Sequence, residues 1–152
     1  MTYSGTVSGA LEGALLGIPS LAISTQNKGN QFEFWPAAKA AATMAESVLD
    51  RGMPKFTLLN INVPFGPNKG FRATVHAKRN HVTVVSARID PRKRPYYWIE
   101  EGENEWEPHD RSDYQAVRDG YISVTPLQSD MTAHEALKYV ETLPLVSPAE
   151  VR

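Results

Sequence analysis

Tyr3-Ser4-Gly5-Thr6-Val7-Ser8-Gly9-Ala10-Leu11-Glu12-Gly13 is the stretch on which the reading of this chain turns. From Val7 the apolar positions fall at Val7, Ala10, Leu11, Ala14 and Leu15, the i, i+3, i+4, i+7, i+8 spacing that lays one apolar stripe along a helix. Ser4 is a natural N-cap, and Gly17 with Pro19 just beyond ends the helix. A helix that starts at Gly5 or Thr6 directs its unpaired N–H groups, with the Ser4 and Thr6 hydroxyls, toward one point. Such a point suits an anion like phosphate, and the helix dipole adds roughly 0.3–1 kcal/mol. The same residues also make an ordinary helix cap, so the residue types alone leave both uses open.

Outward from this helix, Ser20-Leu21-Ala22-Ile23-Ser24 is a short apolar run of the kind that forms a strand buried on both faces of a parallel sheet. Thr25 to Trp35 is polar, with turn formers at Asn27, Gly29 and Asn30. Pro36 opens a second helix at its first position, with Ala37, Ala40, Ala41, Met44, Ala45 and Val48 as the apolar face and Gly52 and Pro54 as the stop. Phe56 to Val63 is the next strand, closed by Pro64, and helix, strand, helix, strand is the pattern of a doubly wound α/β unit. From Phe65 strands replace helices. A loop at 66–70 leads to an alternating run from Phe71 to His76, then to β-branched Val82 to Val85. Tyr96-Tyr97-Trp98-Ile99 reads as a strand, and Glu100 to Asp110 as a mobile acidic loop. A short helix from Ser112 to Arg118 ends at Gly120 and the strand Tyr121 to Thr125 follows. Thr132 then caps a last helix, Ala133 to Thr142, with Glu135 completing a capping box.

The chain has 152 residues, 41% hydrophobic and 22% charged, enough for one domain with a core. Its net charge of −1 gives no electrostatic case for nucleic-acid or membrane partners. No apolar run reaches the length of a membrane span and no signal peptide is visible, so a cytoplasmic protein is expected. The absence of cysteine excludes disulfides, thiolate catalysis and cysteine-held zinc. The four histidines, His76, His81, His109 and His134, do not fall at metal-ligand spacing, and no metal-binding residue is assigned in this chain.

The opening string, continued by Gly17-Ile18-Pro19-Ser20-Leu21-Ala22-Ile23-Ser24, resembles a segment of the SurE (survival protein) family of 5′/3′-nucleotidases. Three later stretches agree in the same order: Leu59-Asn60-Ile61-Asn62-Val63-Pro64; Asp90-Pro91-Arg92 with Tyr96-Tyr97-Trp98-Ile99; and Gly120 to Leu127 leading to Asp130-Met131-Thr132-Ala133-His134. The resemblance implies an α/β fold in which 1–64 is the remnant of a Rossmann-like core with a phosphate-binding turn. Residues 65–127 then form a β-rich arm and return strand, and 128–152 a C-terminal helix and tail, all within one SurE-like domain. It implies a metal-dependent phosphatase acting on nucleoside monophosphates, with Mg²⁺ or Mn²⁺ in the full-length family. The family's catalytic Asp-Asp-Gly turn, serine loop and Asn-x-Gly loop have no match here, so the chain is expected to be the C-terminal part, to hold no catalytic residue and to bind no metal alone. A physical argument agrees: only Met1, Thr2 and Tyr3 precede the turn, too few for the strand that feeds such a helix.

Ser4, Gly5 and Thr6 match the family's phosphate-binding segment, and the resemblance implies that the nucleophile opposite them is either a metal-activated water or an N-terminal aspartate. His134 with Asp130 is read as a structural hinge contact rather than a general acid. Asn60 and Asn62 serve strand-end hydrogen bonding or face the cleft at the strand's carboxyl end. Arg92, Arg94, Tyr96, Tyr97 and Trp98 combine charge and aromatic surface, but Glu100, Glu101, Glu103, Glu105 and Glu107 follow too closely for a stable nucleic-acid complex. Self-association is the expected use, and the resemblance implies that it runs through an extended β-hairpin, as a dimer or tetramer. The alternatives are a non-catalytic oligomerisation module, a partner for a separately encoded N-terminal half, and a decayed remnant that folds poorly because its sheet edge is open.

Overall fold

A computed structural model of the chain describes residues 4–80, 83–101 and 105–143. Met1–Tyr3, His81, Val82, Glu103 and the tail beyond Leu143, all used in the sequence reading, lie outside them. Helix α1, Gly5–Leu15, is capped by Ser4, whose side chain accepts the Val7 N–H at 3.3 Å, and the chain leaves it through Gly17 at φ +78°. Strand β1, Ser20–Thr25, follows; then a tight ribbon of β2, Asn27–Lys28, and β3, Gln31–Phe32, occupies the polar stretch that carried only turn signals. Helix α2 is Phe34–Arg51 with Glu33 at its N-cap, so Pro36 is the third helical residue and not the first. Strand β4, Thr57–Val63, pairs in parallel with β1, Ala22 beside Asn60 and Ile23 beside Ile61.

Strand β5, Phe71–Ala73, is followed by β6, Arg79–Asn80, then β7, Thr83–Ile89, and β8, Pro95–Glu101. Strand β9, Glu105–Trp106, pairs with β6, so part of the expected acidic loop is strand. Helix α3, Asp113–Arg118, is capped by the Ser112 hydroxyl on the Gln115 N–H, and β10, Ile122–Gln128, closes the sheet. The sheet runs β1-β4-β10-β5, with β10 antiparallel to β4 and parallel to β5. The doubly wound expectation therefore holds for the β1–β4 pair, whose two faces are covered by α1 and α2, while the rest of the sheet is mixed. β1 is an edge strand: Leu21 and Ile23 are half-buried and Ser24 exposed, where a strand buried on both faces was expected.

Alternation sorts the core into two layers. Ile23, Leu59, Ile61, Val63, Ile122 and Val124 pack under Ala37, Ala40 and Met44 of α2. Ala22, Leu58 and Leu127 pack under Val7, Ala10, Leu11 and Ala14 of α1. Leu58, Ile61 and Val63 are fully buried, so truncating Leu58 or Ile61 to alanine costs about 2–5 kcal/mol. Gly13 lets α1 lie close against the start of β1, because a Cβ there would overlap the Ser20 hydroxyl. That contact also sets direction. The end of α1 lies over the start of β1, so Ser4, Gly5 and Thr6 open at the carboxyl edge of the parallel pair.

The C-terminal segment differs from expectation. Thr132 does not cap a helix from Ala133; a 3₁₀ turn, His134–Ala136, leads into a short α4, Leu137–Glu141, with no side-chain cap on either. Asp130 takes the capping role, accepting the Thr132 N–H at 2.8 Å, because a two-residue Asx turn reaches that donor sooner than a capping box can form.

Candidate functional site at the carboxyl edge

At the N-terminus of α1 the Ser8 N–H donates to the Ser4 carbonyl at 2.9 Å and the Val7 N–H to the Ser4 hydroxyl. That leaves the Gly5 and Thr6 N–H groups without an acceptor among the described residues, both on an exposed first turn. Ser4 itself is engaged as a cap, so a ligand here meets two main-chain donors and the Thr6 hydroxyl rather than three hydroxyl-bearing residues.

Beside this edge, the ends of β1 and β4 and the start of α3 enclose a cleft of about 280 Å³, lined among others by Ser24, Asn62, His76, Trp106, Asp113 and Tyr114. Asn62 donates its amide to the Ser123 hydroxyl at 3.2 Å and lines the cleft, so both readings of this residue hold at once. Asn60, 7% exposed, is buried on the α1 side of the sheet and does not reach the cleft. Asp113 is positioned by a zipper between two segments. Its N–H donates to Val75, the Val75 N–H donates to Arg111, and its Oδ1 accepts the Ala77 N–H at 2.9 Å and the Tyr114 N–H at 2.8 Å. The Trp106 and Tyr114 rings stack with centroids 4.2 Å apart and planes 8° from parallel. None of Asp113, Trp106 and Tyr114 carries a local sequence signal. Trp106 stands in an acidic run, and Asp113 and Tyr114 look like the first turn of a short helix.

The other expected residues are placed apart from this edge. His134 Nε2 lies 2.9 Å from Asp130 Oδ2, and the Thr132 side chain first, then His134 and the Thr132 amide, hold the Asp130 carboxyl below its ordinary range. Both groups are exposed. Arg94 is tied within the hairpin turn, its Nε 3.1 Å from Asp90 Oδ2, while Arg92 stays exposed at the tip. Pairing of β7 with β8 sets Val85 opposite Ile99, Ala87 opposite Tyr97 and Ile89 opposite Pro95. Alternation therefore puts Tyr97 on one face of the ribbon and Tyr96 with Trp98 on the other, so these aromatics do not form one patch. Among the described residues no group of three His, Asp or Glu side chains converges to hold a metal ion, and the donor set for a divalent cation is not assembled there. No described helix is long and apolar enough to cross a membrane.

The fold and this edge define a three-layer α/β protein whose helix N-terminus and cleft open together where parallel strands end, the place at which such sheets take anionic ligands. Residues 1–85 match the family model described as Survival protein SurE, and the chain belongs to that family. It is 42% identical to the 5′-nucleotidase SurE of Aquifex aeolicus over 146 residues, covering 94% of this chain and 58% of that protein. It is 43% identical to the 5′-nucleotidase SurE 1 of Thermus thermophilus over 143 residues, covering 94% and 57%. The crystal structure of the SurE protein from Aquifex aeolicus superposes with a TM-score of 0.72, covering 92% of this chain and 57% of that one. The chain thus spans less than three-fifths of the length of these relatives.

Proposed function

We propose that this chain supplies the phosphate-holding helix terminus and the assembly arm of a phosphatase acting on nucleoside 5′- and 3′-monophosphates. The observation that carries the reading is the pair of acceptor-less N–H groups, Gly5 and Thr6, at the carboxyl edge of a chain 42% identical to a 5′-nucleotidase SurE. Main-chain donors there hold the non-bridging oxygens of a phosphoryl group, and the helix dipole favours the charge that builds as the P–O bond breaks. The described residues do not fit a divalent cation, so the role assigned to this chain is to bind and orient the phosphate.

The β7–β8 ribbon supports the second half of the proposal. Its Tyr97 and Ile99 are 71% and 73% exposed, and the two strands of the ribbon pack chiefly on each other. A two-stranded ribbon is marginal in water by itself, so a second copy of the chain is the natural cover for its apolar face.

Gly5→Pro tests the phosphate site cleanly. Gly5 is the first helical residue and Ser4 is extended (φ −86°, ψ 111°), so proline fits both positions while deleting one donor. Phosphate release from a nucleoside 5′-monophosphate with Mn²⁺ or Mg²⁺ is measured on the chain and on the chain mixed with the portion of a SurE relative that it does not span. Release that falls about ten-fold or more in Gly5→Pro supports the proposal, as expected for one lost oxyanion donor. Release indifferent to the substitution refutes the cradle. No release in either preparation overturns the nucleotidase reading and leaves an assembly module.

A further inference from the structure

A groove between the first turns of α2 and the β5 edge of the sheet lies on the opposite side of the sheet from α1 and takes no part in the phosphate site. We propose that it binds a small planar aromatic carboxylate, with the ring between Trp35 and Phe71 and the carboxylate on Lys39. The groove encloses about 320 Å³, and small-molecule sites begin near about 300 Å³, so it suits one or two fused rings better than an extended ligand. Its floor is Ala40 and Ile122, 2% and 4% exposed, which belong to the core layer under α2. Its walls are aromatic. Trp35 and Phe71 are 79% and 42% exposed, and neither ring makes a stacking or cation contact among the described residues.

The polar groups decide what the ring must carry. Trp35, Lys39 and Thr43 recur at four-residue spacing along α2, so one row of the helix brings a ring, an ammonium and a hydroxyl to the same wall. Across the groove stands Asn68, whose Oδ1 accepts the Gly70 N–H at 3.1 Å. That bond fixes the orientation of the amide and leaves its N–H₂ end without an acceptor among the described residues. Lys39 forms no ion pair among the described residues, and no Asp or Glu of that set lines the groove. The rim therefore offers hydrogen-bond donors and one positive charge, while the floor and walls offer apolar surface. An aromatic anion matches both; a neutral ring leaves the ammonium unmatched and a cation is repelled. Because Lys39 is exposed, its charge is worth a few-fold in affinity and the rings supply the rest. The inference is independent of the nucleotidase reading.

The test separates ring from charge. The full chain is titrated with indole-3-acetate, which carries both, with indole-3-acetamide, its neutral isostere, and with acetate, which has no ring. Binding is followed by two-dimensional ¹H–¹⁵N NMR at the main-chain N–H signals of Phe71 and Ile122, which every variant keeps. Indole-3-acetate is expected to shift these signals with a Kd of about 1 mM or tighter, the ordinary efficiency for a ligand of its size, while acetate leaves them in place. It should bind about three-fold tighter than the amide, and Lys39→Gln should remove that preference without changing the affinity of the amide. Trp35→Ala, at an exposed position that the fold does not need, should weaken acid and amide alike by about three-fold or more. Signals that indole-3-acetate does not move, an acid that binds no better than the amide, or affinities indifferent to Trp35→Ala each overturn the proposal. So does a shift of the same signals with protein concentration alone that vanishes in Trp35→Ala, because a second copy of the chain is then the occupant.

Discussion

Gly13 sets two opposing effects against each other, and a double-mutant cycle resolves them. In an exposed helix interior, alanine in place of glycine gains about 1 kcal/mol. Here the added Cβ would overlap the Ser20 hydroxyl and lie 3.4 Å from the Ser20 Cβ. The hydroxyl donates to the Ile18 carbonyl at 2.8 Å, so turning it away forfeits about 1 kcal/mol. If α1 moves instead, overpacking costs about 1–3 kcal/mol. Gly13→Ala is therefore expected to lie between neutral and about 2 kcal/mol destabilising, and Ser20→Ala, which loses only the hydrogen bond, to cost about 0.5–1 kcal/mol. In the double variant the overlap is gone while the helix gain remains. It should be about 1 kcal/mol more stable than Ser20→Ala alone, a coupling near 2 kcal/mol and within the range that contacting residues show. Urea denaturation of the four proteins, followed by far-ultraviolet circular dichroism and extrapolated linearly, reads the cycle. Additive effects within about 0.5 kcal/mol, or a Gly13→Ala protein more stable than the parent, would refute the claim that this glycine exists to let α1 approach β1. The consequence reaches the site, because this contact fixes which way Ser4, Gly5 and Thr6 point.

Thr74, just past β5, and Thr125 of β10 share a buried hydrogen bond of 2.7 Å, so Thr125→Val should cost about 1–3 kcal/mol in urea denaturation, while Thr74→Val/Thr125→Val together recover most of it. Lys93 sits at φ +62° in the hairpin turn, where the Asp90 carbonyl accepts its N–H at 2.9 Å; Lys93→Gly should stabilise the turn by about 1 kcal/mol and slow amide exchange along β7 and β8 without shifting the global urea midpoint. Asp119 is held below its ordinary carboxylate range by the Gln115 amide first, with Arg72 and Lys69 adding to it and desolvation opposing them. Because its folded pKa lies below the unfolded value, the stability it confers is present above about pH 4 and is lost as pH falls through the folded pKa. The stability gap between the wild type and Asp119→Asn should therefore be full at neutral pH and close in acid; a gap that widens in acid contradicts the assignment.

The sequence pattern carried the α/β core because its signals are local. The Val7-to-Leu15 stripe, the Ser4 cap, the Gly17 and Gly52 stops and the apolar runs of β1 and β4 each lie within one window, and each element formed where it was expected to within a few residues. What stayed hidden depends on neighbours in space. Half-burial of β1 follows from its place at the sheet edge, and the antiparallel course of β10 from its pairing partners. Tyr96, Tyr97 and Trp98 looked like one patch when read as a run and divide between two faces once they lie on a strand.

The same distinction explains why the helix terminus was legible and the cleft was not. Ser4, Gly5 and Thr6 are consecutive, and a helix start orients consecutive donors by its own geometry, so the segment alone predicts a site. The cleft draws Ser24, Asn62, Trp106, Asp113 and Tyr114 from the ends of β1 and β4, from β9 and from α3. Its key tether, Ala77 N–H to Asp113, joins residues 36 apart in the chain. No periodicity within a window encodes such a meeting, but the bond pattern it leaves is unequal: one carboxylate oxygen accepts two donors and the other accepts none among the described residues. That inequality is a property of the folded chain alone, because the Ala77 donor reaches Asp113 only once the segment after β5 lies beside the start of α3.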